Sequence, residues 1–137
     1  MQLSISEILS QANAARKIED RIGILRSYTP QAHLKYLLRL TFDPGAVWLL
    51  PEGKIDYKPT DIPGKESNLL SETKRLYLFI EGEKPELQQQ KREMLFIQML
   101  EGLDPKDAEL LCSCKDKKLP YKNIDSKLVL ETWPGLY

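Results

Sequence analysis

The chain has 137 residues, 42% of them hydrophobic and 29% charged, the proportions of one ordinary globular domain with a core of its own. Twenty basic side chains balance twenty acidic ones, so the formal net charge is zero, which argues against tight, non-specific nucleic-acid binding as the whole purpose of the chain. No apolar run approaches the roughly 20 residues of a bilayer-spanning helix, and the opening Met1-to-Ser10 stretch has no basic leader with a long apolar core, so a cytoplasmic protein without membrane contact is expected.

Ser4 or Ser6 can cap a first helix, in which Ile5, Ile8, Leu9 and Ala12 fall on one face. Ile18, Ile22 and Leu25 continue the periodicity in a second helix ending near Ser27. Thr29-Pro30 restarts the chain as cap and first helical residue, and Leu34, Leu37, Leu38 and Thr41 give the third helix its buried stripe. Asp43-Pro44-Gly45 interrupts it, and the apolar group Val47-Trp48-Leu49-Leu50 follows. Residues 51–68 hold Pro51, Gly53, Pro59, Pro63 and Gly64 and predict a long irregular loop. Helical spacing returns with Leu69, Leu70, Thr73, Leu76, Tyr77 and Ile80, until Gly82 stops it. Pro85 is expected to open the longest helix, running to about Gly102 with Leu87, Met94, Leu95 and Met99 as apolar positions. Asp104-Pro105-Lys106-Asp107 is a strong helix start, followed by Ala108, Leu111 and Cys112 on an inner face. A last short helix begins at Asp125 and closes at Trp133-Pro134-Gly135. No segment alternates with a period of two. The expected fold is all-α: an irregular bundle of about six to eight helices with one long Pro/Gly-rich loop, in a single domain over residues 1–137.

Candidate chemistry is sparse. Cys112 and Cys114 lie one residue apart, so on a helix they point to different sides and do not easily bridge. Free thiols, at least one of them in the core, are expected. The single histidine, His33, is remote from both cysteines, so no metal site is expected, and nothing near it supplies a nucleophile for a general base. Lys54-Ile55-Asp56-Tyr57 superficially matches the Lys-x-Asp-Gly string of nucleotidyltransferases but lacks its glycine. There is no phosphate-cradling glycine loop. The expectation is a chain with no catalytic residues and no cofactor.

One stretch stands apart. Between Cys114 and Lys127 lie Lys115, Lys117, Lys118, Lys122 and Lys127 against only Asp116 and Asp125, three net positive charges in an otherwise acidic chain. They gather around a Leu119-to-Asn123 turn that leads into a helix N-terminus, where backbone N–H groups favour phosphate. A solvated lysine turn is the other reading of the same residues.

The ending Lys127-Leu128-Val129-Leu130-Glu131-Thr132-Trp133-Pro134-Gly135-Leu136 resembles the close of the N-terminal DNA-binding domain of ATP-dependent DNA ligases, particularly those of T-even-type bacteriophages. Ile5 to Arg26 resembles that domain's opening pair of short helices, and Leu34 to Phe42 its third helix. The chain is also similar to small proteins of T-even-type phages of marine bacteria, which share its Leu-Leu-Pro-Glu-Gly and Lys-Lys-Leu-Pro-Tyr-Lys wording. The resemblance implies a helical ligase-type fold and a turn before the last helix that approaches the DNA backbone. It places Asn123 at a glycine position, where the residue's tolerance of a left-handed backbone would preserve the turn. Asp125 and Ser126 fall on small polar positions.

Two functions are therefore expected. The first is a non-catalytic accessory protein of a phage that binds double-stranded DNA through Lys115, Lys117, Lys118, Lys122, Asn123, Ser126 and Lys127, and assists replication or repair. The second is a protein-binding adaptor on the same fold, aimed at a phage replication protein or a host enzyme, with Trp48 and Tyr57 as aromatic anchors.

Overall fold

Local sequence sets most of the helix boundaries in the computed structural model, which describes residues 3–29, 31–58 and 68–137. Helix α1 (Ile5–Ala14) starts at Ser4, whose hydroxyl accepts from the Glu7 N–H while the Glu7 carboxylate accepts from the Ser4 N–H, a complete capping box. Helix α2 (Ile18–Ser27) and helix α3 (Gln31–Phe42) follow, with Pro30 outside the described residues. Asn68 caps the short α4 (Leu69–Glu72), and a 3-10 segment continues it over Thr73–Phe79. Helix α5 is Gln89–Gly102, α6 is Pro105–Lys115 with Asp104 as cap and Pro105 in its first turn, and α7 is Ser126–Thr132, capped by Asp125.

The all-α expectation holds: the described residues contain seven α-helices, the 3-10 segment and no strand. Backbone pairing of the extended kind is limited to one antiparallel bridge, Trp48 to Ile80, flanked by Leu49 N–H to Phe79 O and Glu81 N–H to Val47 O, both 2.8 Å. Residues 51–58 are non-helical as expected, and residues 59–67 of the expected loop lie outside the described part.

Three local expectations are corrected. The stretch after Glu72 winds as a 3-10 segment, which turns Leu76 and Phe79 inward and leaves Tyr77 exposed. The longest helix begins at Gln89 and not at Pro85, because Gly82, at φ +85°, opens a run of turns that lasts to Leu87. Arg92 closes those turns from inside α5. The residue is 4% exposed, and its guanidinium donates to Leu78 O (3.0 Å), Lys84 O (3.1 Å) and Gln89 Oε1 (2.7 Å). Met94, expected among the inner positions, is 52% exposed.

The core joins the stripes of α1, α3, α5, α6 and α7. Ile5, Leu9, Leu34, Leu37, Leu38, Leu76, Leu100 and Leu111 are fully buried, each stabilising the fold by about 1.5–3 kcal/mol relative to exposure. Phe79 and Phe96 meet edge to face with centroids 5.1 Å apart. Polar groups stitch the elements together. His33 Nδ1 lies 2.7 Å from Thr73 Oγ1, whose own proton goes to Leu70 O, so His33 donates from Nδ1 and ties α3 to the 3-10 segment. Buried Asp107 accepts from the Leu69 N–H at 3.1 Å through Oδ2, anchoring the start of α4 to α6, while its Oδ1 has no hydrogen-bond partner. The Trp-Pro-Gly string is structural: Trp133 is 7% exposed, its indole N–H donates to Gln31, and Gly135 takes φ +82°.

Both cysteines are free, and Cys114, two positions past the expected Cys112, is the one fully in the core. Burial pushes the Cys114 thiol up to about 12, against a weak opposing bond from Thr41. The half-buried Cys112 is raised chiefly by burial, with Asp116 and Glu109 reinforcing the rise and Lys115 opposing it. Iodoacetamide at pH 8 should label Cys112 roughly ten times faster than Cys114, read by peptide mass spectrometry. Equal rates in the native protein would contradict this packing. The unfolded Cys114 thiol ionises near 9 while the folded one keeps its proton to about 12. Stability should therefore fall as pH rises through that window, by about 1.4 kcal/mol per unit from this group, and Cys114→Ala should flatten that alkaline limb of the unfolding curve.

Candidate nucleic-acid interface

The basic stretch starts where α6 ends, and the way it ends decides which lysines face solvent. Lys117 N–H bonds Cys114 O and Lys118 N–H bonds Ser113 O, a Schellman closure with Lys117 at the position usually held by glycine. Lys117 has φ +64°, the left-handed region, which costs a side-chain-bearing residue about 1–2 kcal/mol. Its side chain offsets that cost. The ammonium donates to Leu40 O (3.1 Å), Asp43 O (2.6 Å) and Ala46 O (2.8 Å), gathering carbonyls at the C-terminal end of α3 and the turn after it, of which Leu40 O also accepts from the Trp48 indole and Asp43 O from the Ala46 N–H. Burial lowers the Lys117 pKa from its ordinary value, and nearby Asp43 opposes the fall.

Lys115 behaves in the same way two residues earlier. It is 4% exposed, and its ammonium donates to Pro51 O and Gly53 O, both at 2.8 Å, and to Asp116 Oδ1 at 2.7 Å. The Asp116 carboxylate in turn accepts from the Gly53 N–H. Lys115 and Lys117, expected among the phosphate-binding residues, are thus withdrawn into the fold as internal cations, each occupied by backbone carbonyls from a distant part of the chain.

Lys118, Lys122 and Lys127 remain exposed. The turn that carries Lys122 is held rigidly against α1: Asn123 N–H donates to Asn13 Oδ1 and Asn123 Nδ2 to Asn13 O, both at 2.8 Å. Asn123 does not take the left-handed backbone that the glycine position of the resemblance implies, since Lys117 is the one described non-glycine residue with positive φ. Its side chain is a brace. Asp125 caps α7 through the Leu128 N–H at 2.9 Å, and the Ser126 hydroxyl is hydrogen-bonded to the Tyr137 hydroxyl.

Across a groove of about 240 Å³ from this turn lie Ile18 and Arg21 of α2. Arg21 is fixed by bonds to Ala15 O (2.9 Å) and Arg16 O (3.1 Å), which close the end of α1, and Arg26 caps α7 at Thr132 O (3.0 Å). The participation of α2 was not legible in sequence. Its place opposite the turn depends on contacts across 110 and 106 positions, Asn13 to Asn123 and Arg26 to Thr132.

The two aromatic residues expected to anchor a partner separate. Trp48 is 8% exposed and its indole N–H donates to Leu40 O at 2.9 Å, so it is a core residue and offers no contact surface. Tyr57 is half-buried on a groove of about 350 Å³ between residues 53–57 and α6, with Cys112 and Glu109 also lining it. Among the described residues no cluster of His, Cys, Asp or Glu is disposed to hold a metal, and no helix is long and apolar enough to cross a membrane.

Residues 8–121 match the family described as "Family of unknown function (DUF6433)". No curated protein and no solved structure matches the chain.

Replacing Lys117 tests the internal role directly. Lys117→Met, which leaves Ala46 O without its donor and strips a charged bond from Leu40 O and Asp43 O, should lower the unfolding free energy by about 2–3 kcal/mol in urea denaturation. Lys117→Gly removes the same bonds but relieves the left-handed strain, so it should be milder by about 1 kcal/mol. A Met variant that unfolds like the wild type would show the carbonyl bonds to be idle.

Proposed function

The chain belongs to this family of unknown function, and we propose that it is a non-catalytic duplex DNA-binding accessory protein of a bacteriophage, assisting replication or repair. The observation that carries the reading is the braced turn at residues 121–127. Asn13 and the Asp125 cap hold it in one conformation, so Lys122 and Lys127, with Lys118 just before them, present their charge without first having to order a loop. Lysines on such a surface contact phosphates as point charges and position a duplex without reading its sequence. The similarity of residues 127–136 to the end of a ligase DNA-binding domain supports the same placement. A neutral chain fits modest, salt-sensitive binding by one local patch better than a broad polyanion-binding face.

A protein-binding adaptor is the second reading, favoured by the groove beside Tyr57. Retention of a phage or host protein in pull-downs after nuclease treatment, with disappearance of that protein on Tyr57→Ala, would favour it over DNA.

For the leading reading, fluorescence anisotropy with a labelled duplex across a salt series should give a linear fall of log affinity with log salt. Changing Lys118, Lys122 and Lys127 together to Gln should make that slope shallower by about one for each phosphate no longer neutralised. No measurable binding at low salt, or an unchanged slope in the triple variant, would overturn the proposal.

A further inference from the structure

Ile18 is 48% exposed at the first position of α2. A single exposed aliphatic side chain is ordinary. Its position is not, because it walls the groove of about 240 Å³ together with Arg21, Lys122 and Lys127. Asp125 and Glu131 line the same groove, and Asp125 is engaged by the Leu128 N–H. Three cations against two carboxylates leave the groove only mildly positive. Charge alone would therefore hold a phosphate weakly, and an occupant that also covers an aliphatic wall fits better.

We infer that this groove seats the sugar–phosphate backbone of one DNA strand, with Ile18 against a deoxyribose and Lys122 and Lys127 on the flanking phosphates. This inference rests on the duplex-binding reading above. Along a DNA strand, apolar sugar faces alternate with charged phosphates, so a cationic groove with one aliphatic wall is complementary to the repeat and not to an isolated anion. Arg21 contributes held charge: its guanidinium is oriented by Ala15 O and Arg16 O, so it stays beside the groove whether or not a strand is bound. The Asn13–Asn123 pair ties the turn to α1, and the Arg26 bond to Thr132 O ties α2 to α7, so both walls, from residues 18–21 and 122–128, are anchored to their neighbours. Sugar contact carries no base information, so the grip is independent of sequence.

Apolar and ionic contacts respond differently to salt, which gives the test. With a labelled duplex of random sequence, Ile18→Ser should weaken binding roughly fivefold to tenfold. The slope of log affinity against log salt should stay unchanged, because no counterion is released at an aliphatic contact. Ile18→Leu should restore most of the affinity. In contrast, Lys122→Gln and Lys127→Gln should each lower the slope by about one. Thermal melting of the Ile18 variants should match that of the wild type, since the side chain is exposed. Undiminished affinity of Ile18→Ser, alongside salt-dependent binding by the wild type, would overturn the sugar contact and leave duplex binding standing. Absence of binding by the wild type would overturn both.

Discussion

Three backbone carbonyls and one ammonium group tie the end of α3 to the end of α6. The end of α3 and the turn after it leave Leu40, Asp43 and Ala46 with oxygens facing inward, and Lys117 reaches across from the end of α6 to meet all three. Lys115 repeats the arrangement on Pro51 and Gly53. The segment between these anchors carries Trp48 into the core and pairs with Ile80. Charged hydrogen bonds of this kind contribute about 1.5–3 kcal/mol each, enough to outweigh the left-handed backbone that Lys117 must adopt. Glycine at that position would relax the backbone and take the charged bond away from all three carbonyls, leaving Ala46 O without its donor.

The same pair of lysines decides the character of the surface. Five lysines in thirteen residues read as a continuous basic patch, but the fold turns two of them inward, and what faces solvent is a smaller, more localised charge. Modest local charge on a rigid turn favours a contact that positions a duplex over one that coats it. A neutral chain does not preclude such a local patch, since only the residues around the turn form it.

Much of the fold was legible from the residues. Ser4, Asp104-Pro105 and Asp125 start helices where capping chemistry says they should, and the stripes of α1 and α3 are buried at the positions their spacing marks. What was not legible depended on distant partners. A lysine in a turn looks solvated until a helix end from another part of the chain brings it carbonyls. Trp48 looks like an anchor until Leu40 O claims its N–H. The 3-10 winding after Glu72 kept the apolar residues at nearly helical spacing, so their periodicity alone could not distinguish it from an α-helix. Of the site, the turn itself was visible in sequence; the α2 wall was not, because Asn13 and Asn123 identify each other only in three dimensions.

The Asn13–Asn123 brace joins positions 110 residues apart, so closing the groove requires segments from both ends of the sequence. Bringing such distant positions together closes a long loop, and topologies dominated by contacts of this kind fold slowly. During synthesis, α1 and α2 emerge long before the turn that completes the groove, so a nascent chain has only one of its walls. Proteolysis or truncation that releases residues 122–137 would dissolve the groove even if α1 to α5 kept their shape. Only a chain whose early and late segments have met presents both walls.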